Sequence, residues 1–141
     1  MTHSSRFAVA IHILTLLAYC GPDAQTSEFI AGSVTTNPVV IRRLLACLRA
    51  AGLVDSHGGP GGGWVLLRKP KEITLGQIFQ AVEGADLFAM HAAQPNPHCP
   101  VGCTIQETLA GIFQGAEQAM LTQLNRTTLA QLVKDVKASA S

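Results

Sequence analysis

The stretch Asn37–Gly63, NPVVIRRLLACLRAAGLVDSHGGPGGG, joins a helical pattern to a glycine-rich turn. Asn37 is a favoured N-cap and Pro38 is tolerated at the first helical position, so a helix begins here. Gly52 ends the helix, and a short apolar strand follows it. Five glycines within residues 58–63 then form a tight turn that leads into a second short apolar run. A helix followed by a two-stranded hairpin predicts the second half of a winged helix.

The predicted helix has one apolar face and one basic face. Arg42 and Arg43 lie outside the apolar stripe. A capped first turn that carries small residues and two arginines fits the major groove of DNA, whereas the alternative is an ordinary solvated helix face. The buried stripe, with apolar residues at spacings of three and four, is predicted to consist of Val40, Ile41, Leu44, Leu45 and Leu48.

Charge is distributed unevenly along the chain. The 141 residues have a formal net charge of +1, with 48% hydrophobic and 13% charged residues, which excludes a disordered chain and a binder that is basic throughout. Residues 33–71 contain six basic residues and one acidic residue, whereas residues 72–141 contain three basic and six acidic residues. A local basic segment of this kind is typical of a surface that contacts the phosphate backbone.

Helical patterns precede and follow this unit. A first helix is predicted over residues 4–20, buried on more than one side, and it ends before a Gly-Pro pair. A short helix over 28–32 is predicted to anchor in the core through Phe29 and Ile30. A further helix over 74–83 has an apolar stripe that is expected to pack on the first helix.

The C-terminal half contains a long helical pattern over residues 99–125, about 37 Å at 1.5 Å per residue. A helix of this length in a small chain rarely finds enough partners in its own subunit, so we expect it to pair with its copy across a two-fold axis. A short helix over 129–136 follows. The expected fold is mainly α with a small β-wing: a winged helix-turn-helix domain over 1–84, then a sensor loop and dimerisation helices over 85–141. The expected dimer contacts are Ile105, Leu109, Ile112, Phe113, Met120 and Leu124.

Other function classes find little support. The glycines of 58–63 could cradle a nucleotide phosphate, but no Lys-Ser/Thr follows them and they lead into a strand. No paired carboxylates and no Ser/His/Asp set point to an enzyme. The apolar-rich stretch 7–19 is interrupted and too short to span a bilayer, so we expect a cytoplasmic protein without membrane contact.

Two cysteines, Cys99 and Cys103, lie four residues apart at the predicted start of the long helix. A helix N-terminus favours a thiolate, so the pair could form a thiol switch whose oxidation distorts the first turn. With His98 or His91, and completed by His12 or a residue of the partner chain, the same thiols could instead bind zinc or a two-iron iron–sulfur cluster. A third alternative is that they have no sensing role.

The ordered set of motifs resembles the Rrf2 family of bacterial winged-helix regulators, which includes the iron–sulfur cluster regulator, the nitric-oxide-sensitive repressor and the cysteine-metabolism repressor. The resemblance covers nearly the whole chain. It rests on residues 36–45, 51–54, 59–66, 73–75 with 81–83, and 96–102.

The resemblance implies a homodimeric transcriptional regulator, a repressor of a pseudo-palindromic operator; a protein-interaction module that kept the fold without binding DNA is the alternative. Cluster-binding members carry three cysteines in the loop before the dimer helix, and this chain has two. A pocket for a small-molecule effector between the two domains is a further possibility. By resemblance, the residues near base edges are Thr36, Asn37, Pro38, Val40 and Arg43, and those near phosphates or the minor groove are Ser5, Arg6, His57 and Gly61. Expected sources of salt-dependent affinity are Arg6, Arg42, Arg43, Arg68 and Lys69.

Overall fold

A computed structural model describes residues 4–84 and 87–140. This part of the chain is mainly helical with one two-stranded antiparallel sheet, as the sequence predicts. None of its helices is both long and apolar enough to cross a membrane. The helices are α1 (Arg6–Cys20), α2 (Ser27–Val34), α3 (Pro38–Ala50), α4 (Leu75–Glu83), α5 (Ile105–Leu124) and α6 (Leu129–Ala140), and the strands are β1 (Val54–His57) and β2 (Gly63–Leu66).

Helix α1 runs through the centre of the core, as its apolar pattern predicts. It packs against α2, α3, α4, α6 and β2. Ile13 and Leu14 have no exposed surface, and Phe7 contacts Phe79 of α4 edge-to-face with ring centroids 5.3 Å apart. The predicted packing of α4 on α1 is therefore confirmed.

Helix α2 begins earlier and ends later than the predicted span 28–32. Thr26 caps it by accepting a hydrogen bond from the Phe29 backbone N–H (3.1 Å), and the helix ends at Thr35, whose φ is 65°. Ile30 is fully buried as predicted, but the prediction that Phe29 anchors the core is wrong, because its side chain is 50% exposed. The buried face of α2 consists of Ser27, Ile30 and Ala31, at positions i, i+3 and i+4, and Phe29 lies outside that stripe.

Helix α3 begins as predicted, with Asn37 as N-cap and Pro38 at its first position. Four of the five residues of the predicted stripe are buried at positions i, i+3, i+4 and i+7 from Ile41. The prediction that Val40 is buried is wrong: it is 39% exposed, because it lies in the first turn, beside Arg6 at the rim of the core.

The two strands form the predicted wing, with Val54 opposite Leu66 and His57 opposite Gly63. A third segment, which the sequence did not predict, adds to the wing: Gln25 pairs with Trp64 in an antiparallel bridge, with N–H to O=C distances of 3.1 and 2.7 Å.

The start of the long helix differs from the prediction. Helix α5 begins at Ile105 rather than near Cys99, and residues 97–104 form successive turns. Asn96 caps this segment, since its side chain accepts from the His98 N–H (2.9 Å) and its carbonyl from the Cys99 N–H (3.2 Å). The 20 residues of α5 therefore extend about 30 Å.

Helix α6 continues to Ala140, past the predicted end at 136, because the alanines and lysine after Val136 are compatible with a helix. Leu129, at its start, is fully buried in the same core as α1. The predicted domain boundary between residues 84 and 85 adjoins residues 85 and 86, which lie outside the described part. The boundary therefore stays a prediction.

The start of α4 is tied to the turn between α5 and α6. Thr74 caps α4 and forms a reciprocal capping box with Gln77, which confirms the predicted cap. The Thr74 hydroxyl donates to Asn125 Oδ1 (2.7 Å). Backbone hydrogen bonds join Leu75 N–H to Thr127 O (3.0 Å) and Leu129 N–H to Ile73 O (2.8 Å).

We predict that Gly63→Ala lowers the free energy of unfolding by at least about 2 kcal/mol. Gly63 has φ +146°, and an added Cβ would lie 2.5 Å from the Gln25 carbonyl oxygen, so the wing would separate from the helices. Gly58→Ala is the matched control, because a Cβ there meets nothing within 4 Å. Urea denaturation checks the pair; equal stabilities would contradict the proposed role of the Gln25 contact.

Candidate DNA-binding interface

The first turn of α3 presents polar and small apolar side chains to solvent. Asn37 Oδ1 accepts from the Val39 N–H at 2.8 Å, which fixes the cap and leaves the amide NH₂ as a donor. Val39 and Val40 are 46% and 39% exposed, and Thr36 is half-buried beside them. This turn therefore protrudes from the core with a capped, donor-bearing end.

Arg6 and Arg43 come from different helices and border the same cleft, of about 320 Å³. Both side chains are exposed, and Arg43 forms no ion pair within residues 4–84 and 87–140. Ser5, next to Arg6, is exposed and does not cap α1 through its side chain. Two arginines that border one cleft supply the forked donors that phosphates and guanine edges accept.

Arg42 is not free, in contrast to Arg43. Its guanidinium lies 2.7 Å from Glu28 Oε1 of α2, and both side chains are more than half exposed. The sequence gives no sign of this partner, because 14 residues separate the two positions and no local pattern links them. The pair neutralises one of the cations expected to contact DNA.

The loop that forms the tip of the wing is exposed, as a groove-contacting loop requires. His57 and Gly61 are both exposed, and Gly61 has φ 73°. Arg68 and Lys69 follow β2 and are also exposed. The guanidinium of Arg68 points back toward Gly52, 3.9 Å from the position of an added Cβ there, so Arg68 flanks the base of the wing rather than its tip.

Arg49 braces the wing against α3, a role that the sequence did not suggest. Its guanidinium donates to Ser56 Oγ at 2.7 Å and lies 4.6 Å from the centroid of the Trp64 ring. Its Nε lies 3.8 Å from Asp55 Oδ1. Ser56 and Trp64 are opposite each other in the hairpin, so one side chain contacts both strands. Trp64 is half-buried and packs against the core under the wing.

The cysteine segment before α5 holds two free thiols, with Cys99 half-buried and Cys103 exposed. The Cys103 N–H donates to the Cys99 carbonyl (2.9 Å) and its thiol to the Pro100 carbonyl (3.3 Å). Hydrogen bonds from the backbone N–H groups of Gly102 and Val101 lower the pKa of the Cys99 thiol below its ordinary value, against a smaller opposing effect of burial. The turn, not a helix N-terminus, therefore favours the thiolate.

The donor set for a metal is incomplete in one chain. In the described ranges no three His, Cys, Asp or Glu side chains are grouped so that they could hold a metal ion. His98 is exposed beside Cys99, and His12 Nε2 forms a hydrogen bond with Ser33 Oγ (2.9 Å) on another part of the molecule. These residues do not fit zinc or an iron–sulfur cluster within one subunit.

Helix α5 leaves most of its surface uncovered. Leu121 is its buried residue, and it faces its own subunit. Ile112 is 59% exposed, and Phe113 contacts Phe88 of the preceding segment with ring centroids 4.9 Å apart. The other residues expected to make dimer contacts are half-buried, namely Ile105, Leu109, Met120 and Leu124.

Known proteins share this arrangement. A model of the Rrf2 family, described as iron-dependent transcriptional regulators, matches residues 3–135. The putative HTH-type transcriptional regulator YwnA of Bacillus subtilis (strain 168) is 42% identical over 128 residues, which cover 89% of this chain and 92% of the relative.

Two solved structures agree with the sequence matches. A putative DNA-binding protein is 37% identical, with a TM-score of 0.71 over 91% of this chain and 98% of that chain. CymR (YrzC), the global cysteine regulator of B. subtilis, is 27% identical, with a TM-score of 0.68 over 95% and 97% of the two chains. The family match spans the winged helix, the cysteine segment and α5, and the protein therefore belongs to the Rrf2 family of DNA-binding winged helix-turn-helix transcriptional regulators.

Proposed function

We propose that this regulator acts in the cytoplasm as a homodimeric repressor of a pseudo-palindromic operator. The observation that carries the proposal is the cleft shared by Arg6 and Arg43 beside the uncovered first turn of α3. In this proposal each α3 enters a major groove, and the two half-sites lie one helical turn apart, roughly 34 Å. Occupation of a promoter by the dimer then excludes RNA polymerase.

The site residues divide into two groups in this proposal. Asn37, with Thr36, Pro38 and Val40 around it, reads base edges because it occupies the protruding turn, and Arg43 reads them from the next turn of α3. The others contact phosphates or the minor groove and supply affinity that falls with salt. This second group consists of Ser5, Arg6, Arg42, His57, Gly61, Arg68 and Lys69.

We predict that Arg43→Ala weakens binding to the protein's own upstream region about 10- to 100-fold, because the side chain makes no ion pair in the described chain that would compete with DNA. Fluorescence anisotropy at several salt concentrations measures the loss on the upstream duplex and on a scrambled duplex. Arg126→Ala, which removes an equal charge after α5, is the matched control and should leave both affinities near wild type.

Equal weakening by the Arg43 and Arg126 variants would contradict the assignment of α3 as the recognition helix. No salt-dependent binding of the wild-type protein to any duplex would instead favour a protein-interaction module.

Support for the dimer comes from α5. A helix about 30 Å long with one buried residue leaves an apolar surface that a single chain does not cover. Leu87, Phe88 and Met90 extend this surface along the segment before the cysteines, and Val101 adds a 64% exposed side chain. A second copy related by a two-fold axis has the same apolar surface, so the two copies can cover each other's.

We predict that Ile112→Glu converts the dimer to a monomer at micromolar concentration, because it buries an unpaired charge in the proposed interface. Gln80→Glu places the same charge on the exposed side of α4, beside Leu53 and Arg68 rather than α5, and should leave the dimer intact. Sedimentation velocity measures the mass. A wild-type monomer, or a dimeric Ile112 variant, would contradict the α5 interface.

We further propose that Cys99 and Cys103 make DNA binding responsive to hydroperoxides. The Cys99 thiolate attacks the O–O bond, which gives a sulfenic acid and releases water or an alcohol. The Cys103 thiol then attacks that sulfur, forming a disulfide and releasing a second water. The bond would disrupt the contact of Cys103 with the Pro100 carbonyl and reorganise the turn before α5.

We predict that the alkylation of Cys99 by iodoacetamide reaches half of its plateau rate at a lower pH in the native protein than in urea. The native pKa is depressed by backbone N–H groups that the unfolded chain no longer holds in place, so the thiolate fraction near neutral pH is larger in the folded state. Site-resolved mass spectrometry measures the rates. Coincident native and denatured profiles would rule out Cys99 as an activated thiol.

A further inference from the structure

A groove between α1, α2 and α6 has a volume of about 530 Å³, which is within the range of small-molecule sites. It shares no lining residue with α3, the wing or the cysteine segment. Leu16 of α1 and Leu132 and Val136 of α6 make its aliphatic surface. Such a surface accepts an apolar body the size of a phenyl ring with a short chain.

The polar groups of the groove are of two kinds. His12 Nε2 and Ser33 Oγ already bond to each other at 2.9 Å. Asp135 is different, because with histidine neutral it is the one formal charge among the lining residues of this groove. Asp135 Oδ1 accepts from the Gln131 amide (3.1 Å), and a carboxylate offers about four acceptor positions.

Tyr19 adds a recognition element for a cation. Its side chain is 47% exposed, and the Lys137 ammonium lies 5.9 Å from the centroid of its ring. The chain itself thus places a positive charge against this ring, in the geometry of a cation–π contact. An aromatic face and a carboxylate that border one apolar groove complement an organic cation.

We propose that this groove is an effector site for small amphipathic organic cations. The ammonium group binds at the Asp135 carboxylate and replaces the Lys137 ammonium at the Tyr19 ring, and the apolar body lies on Leu16, Leu132 and Val136. The ligand would join α1, which packs on the helix-turn-helix, to α6, which follows the dimer helix. Ligand affinity and operator affinity are then linked.

The test uses three probes with one body: 4-phenylbutylamine, 4-phenylbutanol and 4-phenylbutyrate. Calorimetry on the full chain without DNA is expected to give the tightest binding for the amine. Asp135→Asn should weaken the amine about tenfold, and Tyr19→Leu about threefold, with little change for the alcohol. Glu107→Gln, which removes a carboxylate from α5, is the matched control and should change nothing.

The site is overturned if the butyrate binds as well as the amine, or if the Asp135 and Tyr19 variants bind the amine like wild type. The effector role is tested by titrating the upstream duplex with and without amine, where a severalfold change in Kd is expected and an unchanged Kd overturns it. Calorimetry without DNA tests the ligand site whether or not the protein is a repressor. If the proposed function fails, the duplex titration without amine shows no DNA binding.

Discussion

Two backbone hydrogen bonds between Gln25 and Trp64 hold the wing against the helices. A two-stranded hairpin alone is marginally stable in water, so its orientation has to come from such contacts. Gly63 permits the close approach, since any side chain there would meet the Gln25 backbone. Arg49 adds a link from α3 to both strands through Ser56 and Trp64. In the proposed DNA complex, α3 and the wing tip contact two grooves of one duplex, and the distance between them depends on this set of contacts.

A second constraint connects α5 to the same helices. The turn after α5 is bonded to the start of α4 through Thr74 and the neighbouring backbone, and the Asn125 side chain fills the space where residue 76 has no Cβ. Helix α4 packs in turn on α1. The cysteines lie at the opposite end of α5, about 30 Å away. In the proposed dimer, a signal from Cys99 would have to reach the DNA-binding domain through a shift of the whole helix or across the subunit interface.

Short-range chemistry made much of this fold predictable. Asn37-Pro38 and Thr74 are cap signals that act within three residues, and the stripe from Ile41 to Leu48 follows from helical periodicity. The wrong predictions have two causes, namely contacts between distant residues and turns that compete with a helix. The sequence predicts the start of α5 six residues too early, because the turns around Asn96 compete with a helix. The Gln25 bridge and the Glu28–Arg42 pair join positions far apart in sequence, which no local pattern encodes.

The Glu28–Arg42 pair gives the adjacent residues Arg42 and Arg43 different electrostatic environments. An exposed ion pair contributes about 0–1 kcal/mol, so a phosphate can take Arg42 from Glu28 at little cost. Until then Glu28 holds the guanidinium beside α2, whereas Arg43 faces the cleft that it shares with Arg6. The carboxylate also repels phosphate, so a duplex that approaches α3 is favoured on the side of Arg6 and Arg43. In a chain whose net charge is only +1, the pair thus confines the unneutralised positive charge beside α3 to the side of Arg6 and Arg43.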